Sequence, residues 1–98
     1  MTLFDVLSDG SRRQILDLLL ERERSVSELV GSLGMSQPAV SKHLRVLRDA
    51  GLVKVRIDAQ KRFYGLDAKP LVEVDTWLAP YRRYWADRLD DLERSLDA

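Results

Sequence analysis

The chain has 98 residues, 45% of them hydrophobic and 33% charged, enough for one globular domain and too few for a second independent core. It has no cysteine, which excludes disulfides, thiolate metal sites and cysteine nucleophiles, and its one histidine, His43, rules out any site built from several imidazoles. Lysine plus arginine and aspartate plus glutamate number sixteen each, so the formal net charge is zero, which taken whole argues against a strongly basic surface.

No apolar run approaches the roughly 20 residues of a membrane-spanning helix. The start, Met1-Thr2-Leu3-Phe4-Asp5, has no basic stretch ahead of an apolar one. The expectation is a soluble, cytoplasmic protein without membrane association. In chain order, a short helix over Leu3–Leu7 precedes the punctuation Asp9-Gly10. Ser11 and Gln14 then form a Ser-x-x-Gln capping box that opens an apolar helix (Ile15, Leu16, Leu18, Leu19, Leu20) running to about Glu23. A second box, Ser25-Val26-Ser27-Glu28, opens a helix carrying Leu29, Val30 and Leu33, and Gly34 ends it.

Ser36 starts the next helix with Pro38 in its first turn, where a missing N–H costs little. Val40, Leu44 and Leu47 give that helix one apolar face, and it stops at Gly51. Two helices joined by a short glycine-containing turn make a helix-turn-helix over residues 25–51. After Gly51 the period changes to two. Val53, Val55 and Ile57 alternate with Lys54 and Arg56, Asp58-Ala59-Gln60 reads as a turn, and Arg62–Leu66 returns as a partner strand with Tyr64 and Leu66 on its inner face. The hairpin over 53–66 completes a winged helix. From Pro70 a long helix carries Leu71, Val74, Leu78, Tyr81, Trp85, Leu89, Leu92 and Leu96 on one stripe, with Pro80 either kinking it or dividing it in two.

Opposite the apolar face of the second helix of the motif lie Pro38, Ser41, Lys42, Arg45, Arg48 and Asp49, with Gln37 at its N-terminal end. Hydroxyl, amide and cationic side chains of this kind read base edges and grip phosphates, and the helix N-terminus adds amide N–H groups and a positive dipole end. The expected DNA contacts are Ser36, Gln37, Pro38, Ser41, Lys42, His43, Arg45 and Arg48, with Lys61 and Arg62 at the wing tip. Gln37, Ser41 and Lys42 fall nearest the bases, and Arg45 falls on base or phosphate. His43 sits on the flank of the buried face, where it bonds a neighbour or a phosphate. No second base, metal or oriented nucleophile accompanies it, so no catalysis is expected.

The charge distribution agrees. Residues 36–62 hold seven cations (Lys42, Arg45, Arg48, Lys54, Arg56, Lys61, Arg62) against two acids (Asp49, Asp58), a net of +5 held between flanks of −2 and −3.

Residues 35–53, Met-Ser-Gln-Pro-Ala-Val-Ser-Lys-His-Leu-Arg-Val-Leu-Arg-Asp-Ala-Gly-Leu-Val, resemble the ArsR/SmtB-type winged-helix repressors. So does the stretch Leu7-Ser8-Asp9-Gly10-Ser11-Arg12-Arg13-Gln14-Ile15-Leu16. The C-terminal Trp77-Leu78-Ala79-Pro80-Tyr81-Arg82-Arg83-Tyr84-Trp85 is similar to a metal-independent, cysteine-free subgroup. The resemblance implies a homodimeric repressor on double-stranded DNA at a palindromic operator, often its own promoter. Metal-sensing members carry Cys-Val-Cys where this chain has Ser25-Val26-Ser27, and others place histidine ligands on the last helix, where this chain has none. No metal and no cofactor is therefore expected; Asp87, Asp90, Asp91 and Glu93 read as a solvated face.

The fold expected is mainly α with a small β-hairpin: one winged helix-turn-helix domain over 1–98, with 1–8 and 70–98 as dimerisation helices. Leu3, Phe4, Leu7, Trp77, Leu78, Tyr81, Tyr84, Trp85, Leu89 and Leu92 are the expected dimer contacts, because a domain this small has too few core residues to bury a long terminal helix alone. Two alternatives stay open for the aromatic stripe: a ligand pocket, or a docking face for another protein on a winged helix that does not bind DNA. The sequence names no effector.

Overall fold

The computed structural model describes residues 1–97, Asp97 by its backbone alone; Ala98, the last residue of the expected domain, lies outside the described residues. The order is α1 (Leu3–Leu7), α2 (Gly10–Glu21), β1 (Arg24–Ser25), α3 (Val26–Leu33), α4 (Gln37–Asp49), β2 (Val53–Asp58), β3 (Lys61–Leu66), a 3₁₀ turn (Lys69–Leu71) and α5 (Val72–Asp97). Four helices and a small sheet enclose one core: Val6 of α1, Ile15, Leu16 and Leu19 of α2, Leu29 of α3, Val40, Leu44 and Leu47 of α4, then Leu52 and Val53. The spacing of Val40, Leu44 and Leu47 brings all three to one side of α4, and all three are buried there. Leu20, expected in the apolar helix, is instead 73% exposed, because Ile15, Leu16 and Leu19 already fill the buried arc of α2.

Short-range chemistry fixes most helix ends. The Ser25 hydroxyl accepts from the Glu28 N–H at 3.2 Å while the Glu28 carboxylate accepts from the Ser25 N–H, also at 3.2 Å. Gly34 ends α3 in the left-handed region at φ 65°. The Ser36 hydroxyl caps α4 by accepting from the Ala39 N–H at 3.3 Å. The start of α2 corrects the expected Ser11 box: its cap is Asp9, which accepts from the Arg12 N–H at 3.1 Å, and Ser11 lies inside the first turn. A carboxylate caps as well as a hydroxyl, and Asp9 stands one residue ahead of the helix with extended backbone, where a cap belongs. The helix also ends at Glu21 rather than Glu23. Five-residue α1 has its own Thr2/Asp5 box, and arginines of α2 cover its other end. Arg12 Nε donates to the Val6 carbonyl at 2.7 Å and Arg13 Nη1 to that of Leu7 at 2.6 Å.

The sheet has the order β1-β3-β2, all antiparallel. The β2–β3 register pairs Val53 with Leu66, Val55 with Tyr64 and Ile57 with Arg62 on the face toward α4. Lys54, Arg56, Asp58, Lys61, Phe63 and Gly65 share the other face. Ile57, expected inward, is 66% exposed because the hairpin runs past the end of the core. The two-residue turn Ala59-Gln60 places Ala59 at φ 55°, and the returning strand begins at Lys61, one residue earlier than expected. Two-residue β1 was not expected; it pairs Arg24 with Tyr64 and Ser25 with Phe63 and so hangs the start of α3 on the wing.

Pro80 neither ends nor divides α5, which is one helix of 26 residues, about 39 Å long. Pro80 supplies no N–H to the preceding turn. Arg82 straps that turn instead, its Nη2 donating to the Asp75 carbonyl at 2.9 Å and its Nη1 pairing with the Asp75 carboxylate at 3.0 Å. At the near end of α5, Phe4 of α1 meets Trp77 edge-on, ring centroids 5.6 Å apart. Beyond that contact the helix projects from the domain, which extends 64 Å along its longest axis.

Three cap carboxyls link this architecture to pH. The Thr2 N–H holds Asp5, the Arg12 N–H holds Asp9, and the Arg22 guanidinium with the Ser25 N–H holds Glu28, each below its ordinary carboxyl range. Depressed carboxyls stabilise the fold fully above their unfolded pKa values, about 3.9–4.3, and lose that contribution as pH falls through the lower folded values. The melting temperature followed by circular dichroism should therefore hold between about pH 7 and 5 and fall below about pH 4. An unchanged melting temperature at about pH 3 would contradict this.

Candidate nucleic-acid interface

The turn Gly34-Met35-Ser36 swings α4 out so that its polar face is bare. Ser36, Gln37, Pro38, Ser41, Lys42, Arg45 and Arg48 are all exposed, as are Lys61 and Arg62 at the wing tip. Two grooves flank this face. Ser41, Leu44, Arg45, Arg48, Asp49, Arg62 and Tyr64 line one of about 360 Å³ between α4 and β3. Ser25, Val26, Ser27, Gln37, Gln60, Lys61 and Arg62 line the other, of about 330 Å³, between the starts of α3 and α4 and the wing turn. Arg62 belongs to both, because the β3 alternation turns it toward α4 while Lys61 faces away.

The structure thus brings Ser41, Arg45, Arg48 and Arg62 together, and Gln37 with Lys61. Ser36, Pro38 and Lys42 are on the same exposed side but line neither groove. His43 stands apart from them. It is half-buried on the inner flank of α4, and its Nδ1 is buried with no hydrogen-bond partner among the described residues. Asp9 lies close enough that, after the Arg12 N–H, His43 helps keep its carboxyl low. Ser27, Gln60 and Tyr64 are groove residues that sequence reasoning missed. Ser27 and Gln60 meet only because β1 ties α3 to the wing, and a two-residue strand leaves no periodic signal.

Two expectations about charge need correction. The N-terminus of α4 does not offer an array of amides: Pro38 has no N–H, that of Ala39 is held by the Ser36 hydroxyl, and among the described residues only the Gln37 N–H of the first three positions is left. What this face offers an anion is therefore its side chains rather than helix amides. Of the seven cations in residues 36–62, two are committed within the chain. Lys54 lies 3.8 Å from Asp67, and Arg56 is held by Glu23 at 3.2 Å and Asp58 at 3.7 Å. Lys42, Arg45, Arg48, Lys61 and Arg62 form no ion pair among the described residues, and all five are exposed on α4 and the wing tip.

Ser25 and Ser27 do not fit a thiolate metal site: they are hydroxyls, and that of Ser25 is already engaged in capping α3. Among the described residues no helix is long and apolar enough to cross a membrane.

The model of the family described as "Bacterial regulatory protein, arsR family" matches residues 9–55, which run from the cap of α2 into β2. The HTH-type transcriptional regulator Rv2034 of Mycobacterium tuberculosis is 37% identical over 95 residues, covering 97% of this chain and 86% of that one. Transcriptional activator HlyU of Vibrio cholerae is 42% identical over 77 residues, covering 76% and 71% of the two chains. A solved structure of an ArsR family transcriptional regulator superposes with a TM-score of 0.72 at 30% identity, covering 85% of this chain and 86% of that one.

Proposed function

The chain belongs to the arsR family of DNA-binding transcriptional regulators, and from that premise we propose that it is a homodimeric repressor that occupies a palindromic operator, its own promoter included. The observation that carries this reading is the set of five cations without an ion-pair partner among the described residues, on the face where α4 and the wing tip lie side by side. In this reading α4 enters the major groove. Gln37, Ser41 and Lys42 lie toward the bases, Arg45 reads a base edge, and Arg48, Lys61 and Arg62 hold the backbone. Two-fold symmetry sets the two copies of α4 in successive major grooves, roughly 34 Å apart. Contact between copies uses the exposed stripe of α5 together with α1. The site of action is the cytoplasm, where the operator is.

One relative is named as an activator, so the sign of regulation depends on where the operator lies relative to the promoter. Repression requires only that a bound dimer exclude polymerase. Run-off transcription from the promoter upstream of this gene should fall as the protein is added; a rise would reverse the sign. Arg45→Ala should weaken operator binding by about 1–3 kcal/mol and relax sequence preference at one position in each half-site. Equal loss on operator and unrelated duplex in the same gel-shift assay would remove Arg45 from base reading.

A further inference from the structure

We propose that Arg56 acts in DNA binding as a positioning residue: paired with Glu23, it holds the wing at the angle that brings Lys61 and Arg62 to the DNA backbone. The inference rests on the wing reading above. Arg56 is a cation of the basic segment, yet the β2 alternation puts it on the sheet face opposite Arg62 and α4. Its guanidinium is occupied on three sides. Nε lies 3.3 and 3.4 Å from the two Glu23 carboxylate oxygens and Nη2 lies 3.2 Å from one of them. Nη1 lies 3.7 Å from the Asp58 carboxylate, and the guanidinium carbon sits 4.9 Å from the centre of the Phe63 ring.

Glu23 precedes β1 and is 33 residues from Arg56 in sequence. Its side chain crosses β3 at Gly65, where a Cβ would come within 3.5 Å of it. The pair therefore clasps the segment after α2 to β2, the strand farthest from β1, across the intervening β3. Val53, Tyr64 and Leu66 seat the base of the hairpin on the core, and β1 pairs with β3 through only two residues, so above that base the clasp is the contact that reaches across the sheet to β2. Arg56 and Glu23 are both about half exposed, and an ion pair in that setting adds little to folding. It fixes geometry more than it adds stability, and the part whose geometry depends on it is the hairpin carrying Lys61 and Arg62.

The test is a double-mutant cycle on the full chain, read by fluorescence anisotropy with a labelled duplex selected from a randomised pool by the wild-type protein. Glu23→Gln removes an acid, so charge alone predicts tighter binding. The clasp predicts binding at least about fivefold weaker, no further loss in Glu23→Gln/Arg56→Gln beyond either single change, and melting temperatures close to wild type. It also predicts that Glu23→Gln lowers the steepness of log K against log salt by about one to two per subunit although no cation is removed, because the wing contacts are released. Unchanged or tighter binding by Glu23→Gln, with Arg56→Gln alone weakened, would overturn the proposal and make Arg56 a direct phosphate contact. Lys61→Ala/Arg62→Ala tests the wing itself: wild-type binding by that variant would sink the wing reading, whatever the cycle gives.

Discussion

Raising monovalent salt from about 50 to about 200 mM is expected to weaken operator binding by about 10³–10⁵. Each neutralised phosphate releases condensed counterions and contributes about −0.9 to the slope of log K against log salt. In the proposed complex Lys42, Arg45, Arg48, Lys61 and Arg62 would supply up to five such contacts per subunit, so a dimer would supply at most ten, and six to ten contacts give a loss of that size. The chain's net charge of zero does not soften this. The Debye length is about 10 Å at 0.1 M, so acids along the projecting α5 are screened from a backbone bound at α4. Titrations by anisotropy across the salt range give the slope directly. A salt-insensitive complex would contradict the electrostatic half of the interface. A slope clearly steeper than −10 would mean that Lys54 or Arg56 leaves its carboxylate partner for phosphate.

The features legible in the sequence are those whose physics closes within a few residues. Ser25 and Glu28 satisfy each other's amides across one helical turn, Gly34 takes the single left-handed position between α3 and α4, and Ser36 with Pro38 opens α4 in a fixed way. The spacing of Val40, Leu44 and Leu47 settles which face of α4 is buried and so which face is left exposed. What was not legible depends on pairings between distant segments. Nothing near Glu23 indicates that it meets Arg56, nor near Asp67 that it meets Lys54, so a count of cations overstates the unpaired charge of residues 36–62 by two. Likewise Ser27 and Gln60 share a groove only through β1. The cap of α2 shows a different limit, for Asp9 and Ser11 are both good capping residues and only the backbone decides between them.

Trp85→Glu is expected to convert the proposed dimer to a monomer by light scattering and to lower operator affinity by about 10²–10⁴, the advantage of engaging two linked half-sites. The argument starts from the repeat in α5. Val74, Trp85 and Leu96 are eleven residues apart, as are Leu78 and Leu89, and Tyr81 and Leu92. Eleven residues in three turns is 3.67 per turn, close to the natural twist of an α-helix, so the stripe stays on one side for the whole of α5. Its near end has neighbours in the same chain, where Val74 and Leu78 are half-buried and Trp77 meets Phe4. Its far end has none among the described residues: Leu89 is 64% exposed and Leu96 78%. In the proposed dimer a second copy running antiparallel would cover that end, and two-fold symmetry would make the two helices cross at the same residues of each. The centre of Val72–Asp97 falls between Tyr84 and Trp85, and a crossing there, which gives the longest overlap of the two stripes, would set each Trp85 against the other near the two-fold axis. A carboxylate there sets two like charges against each other in an apolar contact and removes two large aromatic surfaces at once. The monomer keeps its α4 and wing, so it should still bind unrelated duplex weakly, with about half the salt slope of the dimer. A Trp85→Glu protein that remains a dimer with undiminished operator binding would place the subunit contact elsewhere than the middle of α5.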